Sequence, residues 1–503
     1  APGGRDGSLT DPYRTIEEAI TAVGDPSKSV IRILGNTGNE LSGLTIAGTN
    51  RSLRPNALAA EIDPHHYYVG LDEAGNPLTD GASLIIPAGV TLMVDAGTVL
   101  RMRQANIDVG SSTELVSRAE AALQILGVPN NPVQITSAVQ GATAGEQTSG
   151  PVPEGGDWGG IILRADSDWQ PSDSVALDTL RPFLNSINHA VIEYAGGEVE
   201  VDSEVKAFSA IQLEDARPSL GFNQILRSAS NAIAATPNSF LEANGRAGPQ
   251  LSGNTLRMNS TNGLFLTIRT EYGVPLDTLD VAARFASTEV TYVLQENLVL
   301  AGGQGSYFKD GSGTIRSRNS GRLTVDPGVV VKLQNARVEL ERCAAQLIAE
   351  GQPTQRVVFT NLADNRFGAG GTFDTNGNLP NGYGPGRWGG IILNAGSQAS
   401  IDNAFISGGG GEVPIEGVLD QFNVIEVHQG DLRLANSQLQ SNADGVALTD
   451  RTARGANEAA TIFVRGAQPV IVGNDFRDNA GATISINANS MTDRFLADPG
   501  RQS

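Results

Sequence analysis

The run Asp374-Thr375-Asn376-Gly377-Asn378 places side-chain oxygens at alternate positions, the spacing with which a loop begins to wrap a Ca²⁺ ion, so Asp374, Asn376 and Asn378 are candidate ligands. The Glu that would close an EF-hand loop is absent, and the competing reading is a hydrated turn. A Ca²⁺ ion there would stabilise the loop rather than enter a reaction. Asp72-Glu73-Ala74-Gly75-Asn76 and Asp310-Gly311-Ser312-Gly313 are looser versions of the same pattern. Tyr383 and Trp169 lie in polar insertions and could stack on sugar rings if exposed. Trp158 and Trp388 both precede a Gly-Gly-Ile-Ile run, which predicts buried rings packed beneath a loop. The four histidines, His65, His66, His189 and His428, sit in unrelated contexts and read as structural residues. Lys206, Lys309 and Lys332 lie far apart. One cysteine, Cys343, excludes an intrachain disulfide and any multi-cysteine metal site, and its surroundings, Glu341-Arg342-Cys343-Ala344-Ala345, predict a packed thiol.

The elements that must position these residues are repeated. Val94-Asp95-Ala96-Gly97-Thr98-Val99-Leu100-Arg101-Met102 matches Val325-Asp326-Pro327-Gly328-Val329-Val330-Val331-Lys332-Leu333. Val133-Gln134-Ile135-Thr136 matches Val357-Val358-Phe359-Thr360, and Trp158-Gly159-Gly160-Ile161-Ile162-Leu163 recurs as Trp388-Gly389-Gly390-Ile391-Ile392-Leu393. Ile187-Asn188-His189-Ala190-Val191-Ile192 answers Ile401-Asp402-Asn403-Ala404-Phe405-Ile406, and Gly197-Glu198-Val199 answers Gly411-Glu412-Val413. Four blocks in one order indicate duplication, and their changing offset puts the insertions between blocks, where a solenoid places its loops.

Within each copy, strands of three to six residues such as Val90-Thr91-Leu92-Met93-Val94 are separated by Pro-Ala-Gly or Asp-Ala-Gly turns, with no helices between them. A second template, Asn-x-apolar-x-x-Asn, reads Asn254 to Asn259 and Asn474 to Asn479, with looser copies from Asn223 to Ser228 and from Ser437 to Asn442. Asn tolerates the left-handed backbone region, and its amide can bond its equivalent one coil away. Together these patterns predict an all-β chain folded as a parallel β-helix solenoid. Roughly 20 to 30 residues per coil would give some 14 to 20 coils. A β-sandwich would show longer alternating strands joined by hairpin dipeptides, a pattern of which little is present. Residues 12–23, with the capping box Thr15-Ile16-Glu17-Glu18 and Ile16, Ala19, Ile20 and Val23 on one face, predict an N-terminal capping helix. Expected boundaries are a cap region at 1–56, a first copy at 57–290 and a second at 291–503, continuous with the first.

Gly7-Ser8-Leu9-Thr10-Asp11-Pro12-Tyr13-Arg14-Thr15-Ile16-Glu17-Glu18-Ala19 resembles the opening of bacterial secreted proteins with the pectin-lyase-like right-handed β-helix. The two Trp-Gly-Gly-Ile-Ile segments and Val191-Ile192-Glu193-Tyr194-Ala195-Gly196-Gly197 are similar to segments of large surface-exposed β-helix proteins. The resemblance implies a right-handed coil and a secreted or cell-surface bacterial location. It does not select an activity, because the superfamily spans lyases, hydrolases, tailspikes, adhesins and structural rods. Pectate-lyase-like elimination needs carboxylates holding Ca²⁺ and a basic residue, and the chain has no Asp-Asp pair, no Trp-Ile-Asp-His and no Arg-x-Pro-x-x-Arg. Polygalacturonase-like hydrolysis needs paired carboxylates with Gly-His-Gly and Arg-x-Lys, and these too are missing.

The leading expectation is therefore a non-enzymatic extracellular or cell-surface structural or adhesive rod, a module of a larger surface or filament-forming protein, with no catalytic residues and no cofactor beyond a structural Ca²⁺. The alternative is a carbohydrate-active enzyme or glycan-binding module whose site is assembled across coils. Composition agrees with a β-rich chain: 60 of 503 residues are glycine and 18% are charged. A net charge of −20 disfavours nucleic acid and anionic membranes as partners. No apolar run approaches the roughly 20 residues of a membrane span. Expected partners are other copies stacked end to end, or surface glycans and proteins.

Overall fold

The computed structural model describes residues 13, 16–23, 30–35, 67–71, 83–112, 117–139, 151–168, 185–201, 204–243, 245–303, 308–309, 315–316, 320–370, 372–377, 382–415, 417–445 and 457–491. The chain is all-β, built from long parallel sheets consistent with a β-helix-like solenoid. It divides into two compact units, Ala1–Ala234 with Pro249–Asn262, and Ala235–Gly248 with Gly263–Ser503.

In the first unit one parallel sheet runs Val30–Ile33, Thr91–Asp95, Ala122–Leu126, Ser186–Asn188, Ser219–Gly221 and Gln250–Ser252. A second runs Tyr67–Val69, Val99–Met102, Val133–Ser137, Ala190–Glu193, Gln224–Leu226 and Thr255–Arg257. A third contains Leu84–Ile85, Ile107–Val109, Ile161–Arg164 and Ile211–Glu214. In the second unit the corresponding first sheet is Ala282–Phe285, Arg322–Val325, Gln346–Glu350, Gln398–Asp402, Asp431–Ala435 and Val470–Val472. The next is Thr291–Leu294, Val330–Leu333, Val357–Asn361, Ala404–Ser407, Gln438–Gln440 and Asp475–Arg477. The last is Leu298–Leu300, Val338–Leu340, Ile391–Leu393, Ile425–His428, Ala460–Arg465 and Ala482–Ile486.

A coil is one strand from each sheet. Alternate residues point inward and stack on their equivalents, so Val94, Ile125, Ile187 and Leu220 form one buried column and Leu323, Leu347, Ala399 and Leu432 another. Among the described residues, two of the sheets in each unit have six strands. Insertions lengthen the chain between rungs: the next partner of Ile125 in its sheet is Ile187, 62 residues on. Among the described residues a helix, Ile16–Thr21, precedes the strand Val30–Ile33, with Ile16 buried; Tyr13, Ala22 and Val23 of the predicted 12–23 lie outside it.

The Asn template forms ladders. Asn223 Nδ2 donates to Ile187 O at 2.7 Å and its Oδ1 accepts from Ala190 N at 2.9 Å, one coil back. Asn254, Asn259, Asn442, Asn474 and Asn479 repeat the donation to the preceding coil at 2.8 to 3.2 Å. Amide-to-amide bonds join Asn223 to Asn254 at 3.0 Å and Asn442 to Asn479 at 2.9 Å. The left-handed residue, however, is the one before each ladder position: Phe222 has φ 55°, Arg227 56°, Met258 59°, Asn436 49° and Ser441 55°. That residue turns the corner, and the Asn that follows locks it to the neighbouring coil.

The repeated Trp-Gly-Gly has a steric cause. A Cβ on Gly160 would lie 1.9 Å from Ser209 O, and one on Gly390 2.0 Å from Asn423 O. Trp158 and Trp388 are fully buried, and their indole N–H groups donate at 2.8 Å to Glu193 O and Ser407 O, equivalent positions in the two copies. Antiparallel hairpins, which the strand pattern did not predict, follow in both copies: Glu198–Val201 with Glu204–Ala207, and Glu412–Ile415 with Val418–Gln421. Val199, Val201 and Phe208 close over Ile162, as Val413, Ile415 and Phe422 close over Ile392.

Cys343 corrects an expectation. It is exposed, at φ 82° in the turn after Val338–Leu340, because the left-handed corner directs it away from the stacked interior.

Candidate functional site

The insertion that precedes Trp388 folds onto the outer face of its own unit. Val330, Val358 and Phe405 form an apolar strip against which Phe367 packs. Two residues along from Val330, Lys332 also points outward, opposite Thr360, and is buried beneath the insertion. Its Nζ donates to Thr375 Oγ1 at 2.9 Å and to Phe373 O at 3.2 Å. Burial pushes the Lys332 ammonium down to about 8, against the opposing pull of Asp364 and Asp374. Asp364, itself buried, accepts from Thr360 Oγ1 at 2.6 Å and from Arg366 Nε and Nη2 at 2.8 and 2.9 Å. Burial alone would raise its carboxyl; the bonds from Arg366 and Thr360 outweigh that and hold it below the usual carboxylate range.

The residues predicted as ligand or metal contacts meet here in part. Tyr383 is half-buried, its hydroxyl 2.9 Å from Ser407 Oγ, and the Arg366 guanidinium lies 3.8 Å from its ring centroid. One ring face is thus occupied by the protein's own cation. Asp374 is half-buried and Asn376 buried, with Asn376 Oδ1 lacking a hydrogen-bond partner. The cation around which this segment closes is the Lys332 ammonium, bonded by Phe373 O and Thr375 Oγ1. Asn378 and Trp169 lie outside the described residues. Among the described residues no group of three or more His, Cys, Asp or Glu side chains is arranged to hold a metal.

A second polar group, which linear motifs did not reveal, runs along the hairpin-covered sheet of each unit. In the first, buried Asp108 accepts from Arg118 Nη1 at 3.0 Å and from Arg164 Nη1 and Nη2, while Arg164 Nε reaches Glu214 at 3.0 Å. Burial disfavours the Arg164 charge, but Asp108 and Glu214 overcome this and raise its affinity for its proton. In the second unit Glu339, the equivalent of Asp108, accepts from Arg337 Nε at 2.8 Å and Asn394 Nδ2 at 3.0 Å. Glu426 accepts from Asn423 N at 2.9 Å and meets His428 Nε2 at 2.8 Å, and both side chains are buried. Ile392 stands between Glu339 and Glu426 in the ladder, sealed by the hairpin. Two rungs separate the carboxylates, about 9 to 10 Å, and the space between them is apolar side chain rather than a water site. His189 stacks on Phe222 at 5.0 Å, while His65 and His66 lie outside the described residues. Lys206 pairs with Glu204 in the hairpin at 3.4 Å.

Comparison with protein-family models, curated proteins and solved structures finds no match.

Proposed function

We propose that the chain is a non-enzymatic structural or adhesive protein of the cell surface or extracellular space, coiled as a right-handed, pectin-lyase-like β-helix with the helix at Ile16–Thr21 as its N-terminal cap. One observation carries this reading: the buried carboxylates Asp108, Glu339 and Asp364 are each held by arginine and neighbouring donors of the chain itself. Asp108 is paired with two arginines, Glu339 with Arg337 and hydrogen-bonded by Asn394, and Asp364 with Arg366 and hydrogen-bonded by Thr360. An acid–base pair for polysaccharide cleavage needs carboxylates with a water or sugar between them. Here an isoleucine under a hairpin fills that place. The Asn ladders and continuous parallel pairing suit load-bearing and display, with the insertions as the recognition surface.

The test is incubation of the full chain with a panel of acidic and neutral polysaccharides, followed for new reducing or unsaturated ends. No product is expected. Turnover of any member would overturn the reading, and retention of a glycan without product would favour a binding module.

A further inference from the structure

In the second unit the last coil, formed by Val470–Val472, Asp475–Arg477 and Ala482–Ile486, has no described strand beyond it. Its inward positions are those that are buried one coil earlier. Leu434, Leu439, Ile462 and Val464 are fully buried, whereas their partners Ile471 and Phe476 are half-buried and Ile484 and Ile486 are 36% and 57% exposed. Among the described residues this end therefore combines strand edges that pair with no further strand and an apolar centre, the combination that draws another β-edge.

The charges on this edge indicate which edge that is. The only charged side chains on these three strands are Asp475 and Arg477, and they flank Phe476 on the middle one. They point outward on one face and pair with each other at 2.5 Å. If Asp475–Arg477 pairs antiparallel with its own copy about Phe476, Asp475 falls opposite Arg477 of the other chain and Arg477 opposite Asp475, so both cross-strand pairs are of opposite sign. The same two-fold axis exchanges the outer strands, bringing Val470–Val472 of one chain toward Ala482–Ile486 of the other. Ile471 then faces Ile484, and Phe476 faces Phe476. The three strand segments are together electrically neutral, with Asp478 one residue beyond Arg477 in the same coil, although the chain carries −20.

We infer that this open coil is a self-complementary docking surface on which two copies of the chain meet end to end, related by a two-fold axis through Phe476. The inference deepens the structural reading above by naming its partner. Polysaccharide turnover would remove that reading and leave the dimer standing, and a monomer would do the reverse.

Sedimentation of the full chain across a concentration series tests it, with a species of twice 52.5 kDa expected. Asp475→Arg and Arg477→Asp each place like charges opposite one another twice per dimer, so each weakens association by at least about tenfold. The doubly exchanged variant restores the pairs and returns association to within about threefold of the original. Unchanged melting temperatures separate these effects from misfolding. A monomer throughout, meaning that other residues of the same chain cover the edge, overturns the proposal. So does an open-ended series of assemblies, which signals head-to-tail stacking, or a double variant that is not rescued.

Discussion

Replacing Lys332 by Met isolates one buried charge. In the folded chain Lys332 titrates near 8, against 10.5 for an ordinary lysine, because burial under the 364–377 segment disfavours the ammonium. Below pH 8 the amine is protonated in both folded and unfolded chains, so stability does not depend on pH through this group. Between pH 8 and 10.5 the folded chain has released the proton while the unfolded chain still binds it. Stability must therefore rise with pH across that window. The full difference corresponds to roughly 3 kcal/mol, of which about 2.5 kcal/mol is reached by pH 10. Lys332→Met cannot titrate. Its baseline also reflects Phe373 O and Thr375 Oγ1 losing their donor and Asp364 and Asp374 losing a cation, but those terms cancel in the pH slope. Urea unfolding of both proteins from pH 7 to 10, followed by tryptophan fluorescence, should show the original chain gaining about 2 to 3 kcal/mol on the variant. Parallel profiles would refute the reasoning, since they would mean that the ammonium is not desolvated by the insertion.

Three further outcomes follow from the packing. Asn223→Ala removes the bonds to Ile187 O, Ala190 N and Asn254 and leaves buried backbone groups unpaired, so thermal or urea unfolding should register a loss of about 2 to 4 kcal/mol. Gly390→Ala would force a Cβ to 2.0 Å from Asn423 O and is expected to abolish soluble folded protein, whereas Gly417→Ala, with nothing within 4 Å of its Cβ, should cost only about 1 to 2 kcal/mol for its φ of 84°. Cys343 is exposed, so one thiol per chain should react with a disulfide reagent in the native protein at a rate close to that of the denatured chain.

Sequence alone reaches the strand rhythm, the Asn ladder and the buried tryptophans because each is written in a short local pattern. Trp158 and Trp388 are predictable from the two glycines that follow each, the first packed under a hairpin valine, Val199 or Val413, and the second against a carbonyl that no side chain would tolerate. The hairpins after Gly197 and Gly411 escape notice because Glu198–Val201 and Glu412–Ile415 look like further solenoid strands, and only the apolar side chains they lower onto Ile162 and Ile392 distinguish them. The charged pairs are invisible for another reason. Arg164 lies 56 residues from Asp108, and Lys332 lies 43 from Thr375.

What the sequence determined by itself is the repeating unit: apolar residues at alternate positions, glycine at close approaches, and Asn where one corner stacks on the next. Tertiary structure decided everything that depends on rungs. Coils about 4.8 Å apart bring together side chains separated by dozens of residues. The insertions then decide which outward-facing groups are sealed from water. Lys332 and Glu426 are ordinary surface residues by sequence and become buried, hydrogen-bonded groups only because a loop or a neighbouring coil covers them. Ile484 and Ile486 are ordinary core residues by sequence, yet the tertiary structure leaves them 36% and 57% exposed.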